Sequence, residues 1–238
     1  MQPDVIIGNG IRVVTALLDG TKTIPIVFIA LSEPNALRIA GSIARPQGNV
    51  TGFVHIELSI YGKYLSLLKE LSPDLSRVAL LAQSDNSTAH AYFDAMRSYA
   101  NSLKITALEA TIRDSTEIED AIGRMAGGMG GVIVTTDIFM FTHRRALISA
   151  AAKHRVPTIY PSRPFVADGG LLCFGPDQRK LFRQSAEHAD LLLKGARPSD
   201  LPIQFPTAFE LSINIRTAKV LGLKVPPMLL AQADEVIE

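Results

Sequence analysis

The stretch DVIIGNGIRVVTA, Asp4–Ala16, decides how the rest of the chain is read. An apolar run, Val5-Ile6-Ile7, enters the loop Gly8-Asn9-Gly10, and a helical period follows. Strand, tight turn and helix in that order open a parallel βαβ unit. A dinucleotide fingerprint would continue as G-x-G-x-x-G and close with an acid at the end of the next strand. Gly8 and Gly10 fit, and Glu33 lies near the place of the acid, but Val13 stands where the third glycine belongs. A β-branched side chain there pushes the helix off the strand. The loop therefore suits the polar end of a small solute better than a pyrophosphate. A plain strand-to-helix turn with no ligand is the other reading.

The same alternation runs to the end of the chain. It predicts strands at Val5–Gly8, Pro25–Leu31, Val50–Val54, Arg77–Ala82, Ile105–Ala110, Gly131–Thr136, Pro157–Tyr160, Leu171–Phe174 and Phe209–Ile213, with helices in most of the gaps. A last short helix is expected after the prolines of KVPPMLLAQADEVIE. The expected fold is α/β, with two Rossmann-like lobes built on parallel sheets.

Gly- and Pro-rich joints at Arg45–Asn49 and around Gly169–Pro176 divide the chain. Residues 1–49 plus about 176–205 form the first lobe, and residues 50–175 plus about 206–238 the second. Six expected strands lie between the joints and only two before the first. Two parallel strands cannot cover their own faces and edges. The first lobe thus reads as incomplete, either because the chain is a truncated form or because a second copy, in a homodimer, completes the sheet.

Of the 238 residues 47% are hydrophobic, enough for a large core, and 24 basic residues nearly balance 23 acidic ones. That balance, without a basic block, argues against nucleic acid as a partner. No run of about 18 apolar residues spans a membrane. No signal peptide is visible at the start. The single cysteine, Cys173, lies in the apolar run Leu171–Phe174 and reads as a core thiol, with a nucleophile as the alternative.

Ligands of open parallel sheets bind beyond the carboxyl ends of the strands. Those ends carry Asn9 and Gly10; Ser32, Glu33 and Asn35; Asp85, Asn86 and Ser87; Thr135, Thr136 and Asp137; and Tyr160. No histidine is among them, no metal-ligand spacing occurs, and no cofactor is expected. The chain is read as a binder, with no catalytic residue. Asp137 suits an ammonium group, or caps the next helix. The helix N-termini behind Asn9 and Ser87 suit a carboxylate. Tyr160 could cover a ligand or pack at its strand end.

IPIVFIALSEPNALRIAGSIARPQGNVTGF, Ile24–Phe53, resembles the substrate-binding proteins of ABC transporters, specifically the group with tryptophan- and tyrosine-type members. The acid-Pro loop Glu33-Pro34, Ala44-Arg45-Pro46 and Gly48-Asn49-Val50-Thr51-Gly52 carry the likeness. HRVPTIYPSRPFVADGGLLCFGPD and the C-terminal FELSINIRTAKVLGLKVPPMLLAQADEVIE extend it. The resemblance implies a type I periplasmic-binding-protein-like receptor closing by a hinge on a small, zwitterionic ligand such as an amino acid. It also implies a membrane permease as partner and a periplasmic or otherwise extracytoplasmic location, and it adds Thr51 near the ligand. Ser32-Glu33-Pro34 departs from the group's usual Gly-Asp-Pro, and Gln83-Ser84-Asp85 from its Asn-Pro loop. Rival readings are a sensor domain of the same fold, a small-molecule enzyme on a similar scaffold, and a remnant that binds nothing.

Overall fold

The computed structural model describes residues 3–127 and 129–238. In chain order the elements begin with β1 (Ile6–Asn9), α1 (Ile11–Gly20), β2 (Ile26–Ser32), α2 (Glu33–Ala40) and β3 (Val50–Ile56). Next come α3 (Ile60–Leu71), β4 (Arg77–Gln83), α4 (Ala89–Ala100), β5 (Thr106–Ile112), α5 (Ile118–Gly123) and β6 (Gly130–Val134). Then follow α6 (Ile138–Thr142), α7 (Arg144–Lys153), β7 (Thr158–Tyr160), α8 (Arg163–Ala167) and β8 (Leu172–Pro176). The chain closes with α9 (Gln178–Leu193), β9 (Phe209–Asn214), α10 (Ile215–Val220), α11 (Pro227–Gln232) and β10 (Glu235–Ile237).

Two compact units result. Residues up to Glu57 with Pro176–Phe209 form the first, and Leu58–Gly175 with Glu210–Glu238 the second.

The first unit holds a three-stranded parallel sheet in the order β1-β2-β3. Both crossovers step the same way, so right-handed connection sets α1 and α2 on one face. There Val14, Ala36 and Ala40 bury Ile26, Phe28, Val50 and Val54. The opposite face, with Val27, Ile29 and Phe53, is covered by Leu181 and Leu192 of α9. The edge at β3 is closed by backbone: Val54 N donates to Gln204 O at 2.9 Å, and Gln204 N to Gly52 O at 3.0 Å. No other strand pairs with β1 on its outer side among the described residues, and Ile7 there is 48% exposed.

β2 carries a bulge, with Ala30 at φ 59° and register shifts on both sides of Leu31. Gly52 makes the passage of β3 past it possible, since a Cβ there would lie 2.1 Å from Phe28 O.

This arrangement corrects the sequence-based division at 49/50. Val50–Ile56 hydrogen-bonds to β2, and the first unit extends to Glu57. The proline–glycine stretch before Val50 is a turn, since Gln47 N closes back on Ala40 O at 2.8 Å. The first sheet therefore has three strands, not two.

The second unit holds seven strands in the order β10-β9-β8-β7-β6-β4-β5. One face packs α5 to α8 against Leu81, Val132, Val134 and Cys173. On the other, α3 meets β7, and α4 meets β4 and β5. β10, which the sequence reading leaves out, pairs with β9 through Glu235–Ser212 to Ile237–Asn214. The gap between β6 and β7 holds two helices, α6 and α7, divided at His143, and α8 fills the gap between β7 and β8. No helix among the described residues is long and apolar enough to cross a membrane.

Candidate functional site

Strand order points to a candidate site in the second unit. The chain steps from β4 outward to β5, then returns across β4 to β6. The crossovers on the two sides of that reversal lie on opposite faces, so the loops after β4 and β6 diverge and leave a crevice. The first sheet, 1-2-3 throughout, has no such reversal among its described strands.

One loop of the crevice is Ser84–Thr88, in which Asp85 and Ser87 are exposed. Asn86 folds it: its Oδ1 accepts from Thr88 N at 3.0 Å and from Thr88 Oγ1 at 2.8 Å. The amide end of the same side chain reaches the other loop, where Nδ2 donates to Asp137 Oδ2 at 3.3 Å. Asp137 caps α6, its Oδ1 accepting from Met140 N at 2.8 Å. Thr135 Oγ1 donates to Asp137 Oδ2 at 2.9 Å. Burial pushes the Asp137 carboxyl above its ordinary range, against the pull of the bonds from Met140, Thr135 and Asn86.

Between Thr135 and Asp137, the Thr136 hydroxyl is enclosed and has no hydrogen-bond partner. Ile138, first residue of α6, is 69% exposed beside them. Behind the crevice the ring of Tyr61 lies 5.5 Å from Tyr64 and 5.2 Å from Tyr92. The hydroxyls of Tyr61 and Tyr64 are buried without partners. Burial first, then Tyr92, Tyr64 and Asp137, hold Tyr61 protonated well above pH 10.

In the first unit Asn9 stands exposed at the end of β1, and Gly10, at φ 82°, starts α1 without a side-chain cap. Ser32 precedes α2 but does not cap it; its Oγ is buried without a partner. Glu33 is half-buried and engaged. Asn35 is buried, and its Oδ1 accepts from Arg38 Nη2 at 3.3 Å. Thr51, also buried, donates to Leu201 O at 2.6 Å, tying β3 to the segment after α9.

Tyr160 is part of the core. Its ring is 1% exposed and stacks on Phe165 at 5.0 Å. Gly170 makes room for it, since a Cβ there would come within 2.7 Å of that ring. Cys173 is buried as well.

Thr135 and Thr136, read from the sequence as part of the same strand-end group as Asp137, stand just after β6. His55 belongs to β3, where its Nδ1 lies 3.1 Å from Leu31 O. No group of three or more His, Cys, Asp and Glu side chains able to hold a metal occurs among the described residues.

Parallel sheets covered by helices, with a polar crevice at a strand reversal, define an α/β fold of the type I periplasmic-binding-protein kind. The chain belongs to the family of ABC transporter substrate binding proteins, whose model matches residues 1–237. A tyrosine-binding protein of Clostridioides difficile (strain R20291) is 28% identical over 209 residues, 88% of this chain and 60% of that protein. The chain thus spans 60% of the length of that curated relative. A conserved domain protein of Vibrio cholerae superposes with a TM-score of 0.89 at 26% identity, covering 99% of this chain and 79% of that one. The ABC domain of Streptococcus pneumoniae in complex with L-Trp gives 0.87 at 23% identity, covering 99% and 81%.

Proposed function

We propose that the protein is the solute-binding component of an ABC transporter, holding an amino acid and releasing it unaltered to a membrane permease. The observation that carries this reading is the crevice between the β4 and β6 loops. It offers fixed hydrogen-bonding groups, Asn86 and Asp137, beside the exposed apolar side chain of Ile138. Family membership supplies the transport context, and the names of the C. difficile and S. pneumoniae relatives point to aromatic amino acids.

In the first unit Asn9, Gly10, Ser32 and Glu33 are the proposed contacts, Ser32 foremost because its buried hydroxyl is unpaired. In the second they are Asp85, Asn86 and Ser87, with Asp137 beside them. Thr51 and Tyr160 are left out of the contact set, since each is fully engaged inside its own unit.

A thermal-shift screen over the full set of amino acids tests the reading. A ligand at about 100 times its Kd adds roughly 2.7 kcal/mol of stability, a shift of several degrees. No shift with any amino acid, or turnover of one, overturns the proposal. An extracytoplasmic location follows from the same reading and is checked by fractionating the host cell.

The open edge of β1 favours a second proposal, that two copies pair along it. Light scattering on the purified chain should then give twice the 25.7 kDa mass.

A further inference from the structure

The backbone of β1 gives its open edge a definite geometry. Ile6 N donates to Pro25 O and Gly10 N to Ile29 O, so the even-numbered residues turn their amides toward β2. With a period of two, the N–H and C=O groups of Val5, Ile7 and Asn9 face away from the sheet. Natural edges are commonly blunted by charge, proline or a bulge. The edges of the second sheet follow that rule, with Glu109 in β5 and Glu235 in β10. Val5-Ile6-Ile7-Gly8-Asn9 carries none of these devices.

An apolar stripe follows the same edge. Ile7 is 48% exposed, and Val13 of α1, whose Cγ1 lies 3.8 Å from where a Gly8 Cβ would stand, is 50% exposed. Ala16, one turn further along α1, is exposed as well.

We infer that two copies join antiparallel along β1 about a two-fold axis at Ile7, with Asp4 of each copy beside Arg12 of the other. This rests on the β1 pairing proposed above and gives it a register. Ile7 meets its own counterpart and Val5 meets Asn9, each pair exchanging two backbone bonds. An axis at Ile6 sets Asn9 against Pro3, which has no N–H to give, and an axis at Gly8 sets Val5 against Ile11, inside α1. With the axis at Ile7, Asp4 faces Gly10 of the partner, two residues before Arg12. Both charges are exposed, and neither has an ion-pair partner among the described residues. The helices fit this spacing too. α1 packs on β1 and β2 alike and so lies over the gap between them. With strands about 4.8 Å apart, the two copies of α1 stand about 10 Å apart on one face, the distance at which helices pack. Val13 and Ala16 then supply the apolar contact.

Sedimentation equilibrium on the full chain reads mass and dissociation constant together. The expected mass is twice 25.7 kDa. Ile7→Pro removes only an outward N–H, which an edge strand tolerates, and should give a monomer with unchanged far-ultraviolet circular dichroism. Asp4→Arg and Arg12→Asp each set like charges together twice per dimer and should weaken association by about tenfold, and the double variant should recover it. That exchange decides the register whether or not Ile7→Pro folds. A monomeric wild-type chain overturns the pairing itself, and a mass above two copies overturns the closed two-fold. A dimer that survives Ile7→Pro puts the interface elsewhere. Single variants without effect, or a double variant no tighter than the singles, overturn the register while the pairing stands.

Discussion

Asn86 Nδ2 and Asp137 Oδ2 are separated by 3.3 Å, although the residues stand 51 positions apart, and their bond joins the loops on either side of the strand reversal. That side-chain bond adds to the backbone pairing of β4 with β6, which already sets the two loops side by side. The same carboxylate starts α6, so one substitution reaches both the loop link and the helix.

Asp137→Ala removes the α6 cap and leaves the Asn86 amide and the Thr135 hydroxyl without their acceptor. The expected cost is about 2 kcal/mol in urea unfolding. Asn86→Ala should cost about 1 kcal/mol, and the double variant less than the sum, because the residues share a bond.

His55 makes stability depend on acid. Burial lowers its pKa from 6.5 to about 4, partly offset by the bond to Leu31 O. The folded chain therefore binds the proton less well than the unfolded one. Its contribution is complete above pH 6.5 and is lost as the pH falls toward 4, by roughly 3 kcal/mol over the window. His188, also lowered by burial, adds in the same direction. Asp137 works against them: its raised pKa means that acid relieves a burial penalty. Urea midpoints between pH 8 and pH 4.5 should fall with acid, and His55→Gln should flatten the slope.

Tyr160→Ala should destabilise the second unit by about 3–4 kcal/mol, because it empties a site stacked on Phe165. Tyr160→Phe should cost about 1 kcal/mol or less and leave solute affinity unchanged. A large affinity loss with normal stability would instead make Tyr160 a ligand cover.

Burial pushes the Cys173 thiol up to about 11. At pH 7 about one thiol in ten thousand is then ionised. Ellman's reagent should leave the native protein unlabelled and react with one thiol per chain in denaturant.

Gly52→Ala should cost about 3 kcal/mol or more, since the added carbon meets Phe28 O at 2.1 Å. Circular dichroism and limited proteolysis would place the damage in the first unit.

Much of this was legible before any coordinates. Apolar runs such as Ile26–Leu31 and Val78–Ala82 are buried on both faces, the condition under which strand and hydropathy coincide. β10 escaped because Glu235-Val236-Ile237 is short and half exposed, and only its pairing with β9 makes it a strand. The place of β3 escaped for a different reason: proline and glycine mark turns within a sheet as readily as joints between sheets.

Asn86 and Asp137 stand at the strand ends where the sequence placed them, and the capping alternative for Asp137 is realised in α6. Of the two readings of Tyr160, the burial of its ring matches packing at the strand end, and that parity depends on a register the sequence does not reveal. Thr136 belongs to the same strand-end group, but its unpaired hydroxyl is a property of its surroundings and has no mark in the residue code.

The cover that α9 gives to Val27, Ile29 and Phe53 has a consequence for biosynthesis. Residues 58–175 must leave the ribosome before that helix is made. Throughout that interval the nascent chain presents a bare greasy face to the cell. Holding chaperones therefore have a defined task here, and slowing translation before Gln178 should lower the soluble yield.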